Sequence, residues 1–129
     1  VTEYVSNLTL DQTVKMLRQA GRVAVTTHAK PDGDAFGAAV ALASVLRHLH
    51  VRTDVWLMPP IPAAVKTLHG AAIVTSVESR QIPADIDEID LIVIVDTGAY
   101  AQIEPLQAAI AARLKRVLII DHHLSGDIE

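Results

Sequence analysis

Leu91-Ile92-Val93-Ile94-Val95-Asp96-Thr97-Gly98 is the stretch that decides the fold. It is a continuous apolar run that ends abruptly on an acid. Such a run, over Asp90–Val95, is expected of a strand buried on both faces of a parallel sheet. On either side, Arg22–Thr27 reads as a short β-branched strand and Arg116–Ile120 as a second buried one. Val51–Met58 reads as a further strand, broken by Pro59-Pro60, and Ala72–Val77 as a short one. Helical spacing runs through Thr9–Ala20, where Leu10, Val14, Leu17 and Ala20 recur, Thr9 can cap and Gly21 follows the end. Ala35–Leu49 and Ile103–Leu114 are further helices, and Ala63–His69 a short one begun near Pro62. Ile82–Asp87 reads as an acidic loop. Strands alternating with helices predict an α/β fold: a doubly wound, mostly parallel sheet flanked by helices, one domain over residues 1–129.

Composition narrows the function. The chain has 129 residues, half of them hydrophobic, which suits one globular domain with a sizeable core. A net charge of -4 argues against a duplex-DNA surface. No apolar run approaches the roughly 20 residues of a membrane span, and Val1–Asp11 has no signal-peptide pattern. The absence of cysteine excludes thiolate metal sites and disulfides and fits a reducing compartment, so a cytoplasmic protein is expected.

Open parallel sheets bind ligands beyond the carboxyl ends of their strands. Three such ends carry ionisable groups: His28-Ala29-Lys30-Pro31-Asp32-Gly33-Asp34, Asp96-Thr97-Gly98 and Asp121-His122-His123. Together they would crowd the carboxylates of Asp32, Asp34, Asp96 and Asp121, which repel one another unless cations intervene. Mixed imidazole and carboxylate donors suit Mn²⁺ best, with Mg²⁺ or Co²⁺ as alternatives. The donors exceed the needs of one ion, so two divalent ions are expected, with one carboxylate bridging. Such a pair neutralises phosphate oxygens and lowers the pKa of a bound water, so no serine or cysteine nucleophile is needed. Pro31 would stiffen the first loop and Gly33 would allow a tight turn aiming Asp32 and Asp34 at one point.

These three motifs resemble those of the DHH phosphoesterases, in order, over His28 to His123. Each motif is of modest specificity alone; the three together, each after an apolar strand, are strong. The form HxxPDGDAxG looks most like the branch that degrades very short RNAs (nano-RNA) and dephosphorylates 3′-phosphoadenosine 5′-phosphate (pAp). The resemblance implies that His28 and Asp32 bind one metal, Asp34 and His122 the other, and that Asp96 bridges. It implies that His123 contacts the scissile phosphate and that Asp121, in an outer shell, orients a ligand histidine. The family's fourth motif and its C-terminal DHHA1 substrate domain do not occur in the sequence, which starts without Met and stops just after the third motif. The expectation is therefore an incomplete N-terminal DHH domain, inactive alone, from a protein acting on short single-stranded oligonucleotides or nucleotides. A homodimer of the full-length protein is compatible with this.

Alternatives within the superfamily are an inorganic pyrophosphatase or exopolyphosphatase, against which Gly33 argues mildly, and a cyclic-dinucleotide phosphodiesterase. A nucleotide-sensing module without turnover is the alternative from another class. A haloacid-dehalogenase-type phosphatase also uses a DxD pair, but its first Asp directly ends an apolar strand, whereas HAKP intervenes here. No GxGxxG follows the first strand, which rejects a Rossmann site. His48, His50 and His69 read as structural, Trp56 and Phe36 as core, and Lys30 as solvated or touching phosphate. Asp85, Asp87, Glu88 and Asp90 read as a solvated loop.

Overall fold

The computed structural model describes residues 5–67, 74–77 and 82–128. Its strands are β1 (Arg22–Thr26), β2 (Arg52–Leu57), β3 (Val74–Ser76), β4 (Leu91–Val95) and β5 (Val117–Ile120). They form one sheet in the order β3-β2-β1-β4-β5, and every pairing is parallel. The helices are α1 (Leu10–Gln19), α2 (Gly33–His48), α3 (Ala63–Lys66) and α4 (Gln107–Ala111). The chain builds outward from β1 to β3, then returns to lay β4 and β5 on the other side of β1. The switch point therefore falls between β1 and β4, where such sheets place their ligands.

Alternation along the strands assigns the two faces. Val23, Val25, Val93 and Val95 join Phe36, Ala39, Ala43 and Leu46 of α2 in one core, with Leu17 of α1. Ala24, Ile92 and Ile94 join Ile103, Leu106, Ala109 and Ile110 in the other. β1 and β4 are buried throughout, as their unbroken apolar sequence requires. Trp56 and Phe36 are core residues, as expected. α1 begins with a capping box in which Thr9 Oγ1 accepts from the Gln12 amide and Gln12 Oε1 accepts from the Thr9 amide. α2 ends with His50 at φ 63°, its amide donating to the Arg47 carbonyl and that of Val51 to the Leu46 carbonyl, so a histidine fills the usual glycine position.

Four expectations need correction. β5 is not buried on both faces: it is an edge strand among the described residues, and Ile120 is 40% exposed. The helix expected over Ile103–Leu114 is a 3-10 segment at Tyr100–Leu106, the short α4, and a 3-10 turn at Leu114–Arg116. Pro105 interrupts the helix because it has no amide to donate, and Ile103, two residues earlier, has a non-helical backbone at φ -119°. Gly33 does not make a tight turn; it is the first residue of α2, and a Cβ there would meet nothing within 4 Å. The left-handed residue of that loop is Lys30, at φ 53°. Of the expected segments Ala63–His69 and Ala72–Val77, residues 68–73 lie outside the described residues, His69 and Ala72 among them.

The fourth correction concerns the acidic stretch, whose Asp87, Glu88 and Asp90 are solvent-exposed as expected but which is also tied down by arginines, Asp85 and Glu88 pairing with Arg22 and Asp87 with Arg113. Arg22, only 8% exposed, donates to Asp54 at 2.7 Å, Asp85 at 2.5 Å and Glu88 at 3.2 Å. Asp90 Oδ2 accepts from the Arg22 amide at 2.8 Å. A Cβ on Gly21 would come within 2.9 Å of that oxygen, so a larger residue there would have to displace the Asp90 carboxylate. The cluster ties β1, β2 and the chain leading to β4 together at the edge opposite the strands' carboxyl ends.

Replacing Arg22 with Met should lower the unfolding free energy by about 2 kcal/mol, less than for a fully buried pair because the acids are partly exposed. The Arg22 hydrogen bond holds the Asp85 carboxyl below its usual range. A lowered carboxylate pKa stabilises the fold above the unfolded value, and that contribution is lost as pH falls through the folded one. The stability gap between the two proteins, measured by urea unfolding, should narrow on acidification below about pH 4. A constant or widening gap contradicts the ion-pair assignment.

Candidate metal centre

The loop after β1 carries His28 and Asp32. Asp32 caps α2: its Oδ1 accepts from the Ala35 amide at 2.9 Å, which holds the carboxyl below its usual range and so ionised. In the tautomer that satisfies its neighbour, His28 Nδ1–H donates to the Ala29 carbonyl at 2.9 Å. The Nε2 lone pair is then left 3.7 Å from Asp96 Oδ2.

Asp96 follows β4 and is 8% exposed. Its backbone sits at φ 60°, a left-handed conformation that aspartate tolerates better than most residues. Strain of this kind gathers at functional sites. His122 Nε2 lies 3.0 Å from Asp96 Oδ1, so the two oxygens of this one carboxylate face two different imidazoles.

Asp121, after β5, has a side chain only 3% exposed. Its Oδ1 accepts from the His122 amide at 2.9 Å, the His123 amide at 3.3 Å and His123 Nδ1 at 2.6 Å. That last bond is the main reason the His123 pKa is raised. The imidazole that Asp121 holds is therefore that of His123, not the expected ligand His122. Asp121 Oδ2 is buried and has no hydrogen-bond partner among the described residues.

Ligand atoms of His28, Asp32 and Asp96 lie within 4.8 Å of one another, as do those of Asp96, Asp121, His122 and His123. Asp96 is common to both groups. Asp34 is exposed and stands apart from them, its Oδ2 4.0 Å from His122 Nε2. The donors suit divalent cations: carboxylate and imidazole only, with a buried carboxylate oxygen that no group among the described residues hydrogen-bonds. His48 and His50 lie at the far end of α2 from this cluster.

Sequence reasoning missed the left-handed backbone of Asp96 and three neutral residues beside the cluster. Thr27 Oγ1 donates to the Val95 carbonyl at 2.7 Å, and the Thr97 hydroxyl donates to Gln102 Oε1. The threonines adjoin His28 and Asp96, which was the available signal; Gln102 offered none.

A cluster of carboxylates and imidazoles lies at the switch point of an open parallel α/β sheet, where such sheets place their ligands, and its donor types are those that divalent cations take. The chain belongs to the DHH family, whose N-terminal domain matches residues 22–129. It is also similar to the crystal structure of an exopolyphosphatase-related protein from Bacteroides fragilis, with a TM-score of 0.83 and 27% identity. That likeness covers 98% of this chain and 38% of the other, so this chain spans well under half of that protein's length.

Mn²⁺ added to the full-length protein should raise its melting temperature, and a chelator should reverse the rise. Asp96→Asn keeps a residue suited to the left-handed backbone but should weaken Mn²⁺ more than ~100-fold, beyond the usual cost of an outer-shell loss. Undiminished binding, measured by calorimetry, would remove Asp96 from the ligand set.

Proposed function

We propose that the protein carrying this chain is a two-metal phosphoesterase that hydrolyses short oligonucleotides, pAp, or both. In this reading His28 and Asp32 hold one divalent ion, Asp34 and His122 the other, and Asp96 bridges. The observation that carries it is the Asp96 carboxylate, with one imidazole against each oxygen. Mn²⁺ fits the donor set best. When bound, the ions would supply charge neutralisation at the phosphate and activation of the attacking water.

The remaining work falls to the chain's own groups. Asp121 accepts from His123 Nδ1 and so fixes the imidazole, leaving Nε2 to meet the substrate. The raised pKa favours the protonated ring, which can donate to a phosphate oxygen or supply a proton to the departing one. The buried Asp96 and Asp121 side chains anchor the cluster, while Asp34 and both adjacent histidines remain open to solvent for substrate entry.

A second reading is exopolyphosphatase or pyrophosphatase activity, favoured by the description of the Bacteroides fragilis protein. A Cβ at position 33 would meet nothing within 4 Å, so the glycine there is not required by a clash at that atom. Full-length protein with Mn²⁺ should release mononucleotide from a dinucleotide or phosphate from pAp, faster than phosphate from pyrophosphate or polyphosphate. The reverse order would favour the second reading. Asp121→Asn should lower kcat by about 10–100-fold. Unchanged kcat would deny His123 its oriented role.

A further inference from the structure

The peptide group joining Val95 to Asp96 is held from two sides. Its carbonyl accepts from Thr27 Oγ1 at 2.7 Å, and its amide donates to the Ile120 carbonyl at 3.0 Å. Thr27 precedes His28, and Ile120 precedes Asp121. One peptide unit is thus gripped by the residues immediately before the other two motifs. The β1–β4 ladder has its last registered pair at Thr26 and Ile94, so the hydroxyl continues the pairing where the strands end. Thr27 is fully buried, and its bond lies next to the left-handed Asp96.

A second tie lies on the other side of His28. The Ala29 amide donates to the Gln102 carbonyl at 2.8 Å, while Gln102 Oε1 accepts from the Thr97 hydroxyl. That same hydroxyl oxygen accepts from the Ala99 amide at 3.2 Å. His28 is therefore flanked, at positions 27 and 29, by hydrogen bonds to the segment that bears Asp96.

We propose that Thr27 is a positioning residue for the metal centre, with Gln102 in a supporting role. The Thr27 hydroxyl keeps the Asp96 backbone in its left-handed turn, and so keeps the carboxylate between His28 and His122. Gln102 braces Thr97 and thereby the same turn from the surface. This inference rests on the metal-centre reading above. It needs no contact between either side chain and a cation.

The test is calorimetric titration of Mn²⁺ into the full-length protein and its Thr27→Val, Thr27→Ser and Gln102→Ala variants, at a temperature where each is folded. Thr27→Val keeps the shape and removes the donor, and should weaken Mn²⁺ by about 10-fold or more. Thr27→Ser restores the hydroxyl and should bind within about threefold of wild type, since an outer-shell contact typically counts for tenfold or more. Gln102→Ala, a surface change that retains the main-chain bond to Ala29, should weaken binding severalfold; it decides the outcome if Thr27→Val does not fold. A purely structural role would lower the melting temperature and leave Mn²⁺ affinity unchanged, and that result overturns the inference. Serine binding as weakly as valine also overturns it. Wild-type protein that fails to bind Mn²⁺ would instead defeat the metal-centre reading itself.

Discussion

An ionised carboxylate set at the end of a buried strand loses most of its hydration and needs opposite charge or hydrogen bonds in return. Asp96 is in that position, and its surroundings follow from it. Each of its oxygens faces an imidazole. Its left-handed backbone is held by the ends of both neighbouring strands. The parallel register makes this possible, because it carries the residues after β1, β4 and β5 to one edge. An antiparallel neighbour would have sent one of those motifs to the opposite side.

The two edges of the sheet handle acidic charge differently. At the amino ends of the strands, Asp54, Asp85 and Glu88 surround Arg22, so the positive charge is built into the chain. At the carboxyl ends, Asp32, Asp34, Asp96 and Asp121 have three histidines, and among the described residues no lysine or arginine pairs with them. The Arg22 cluster joins β1, β2 and the chain before β4 through ion pairs. The opposite cluster has only imidazoles beside its carboxylates, a donor set that a divalent cation can use.

Much of the frame is legible in the sequence because unbroken apolar runs encode strands buried on both faces. LIVIV and the three strand-end motifs carry the fold and the meeting of the ionisable groups. The same logic failed at β5, where VLII is as apolar as β4 but lies at the edge; sequence patterning records hydrophobicity, not strand order. It failed again over Ile103–Leu114, where one proline outweighed helical spacing. The Arg22 cluster escaped notice because its partners are up to 68 positions apart. The Asp121–His123 bond was hidden because adjacent histidines look equivalent until the backbone turns them apart.

The most direct measurement is the anomalous scattering of Mn²⁺ in crystals of the full-length protein. Two peaks are predicted, roughly 3.5–4 Å apart, one beside each oxygen of Asp96, with His28 near one and His122 near the other. A single peak, or peaks that leave the Asp96 carboxylate untouched, would contradict the shared-carboxylate centre.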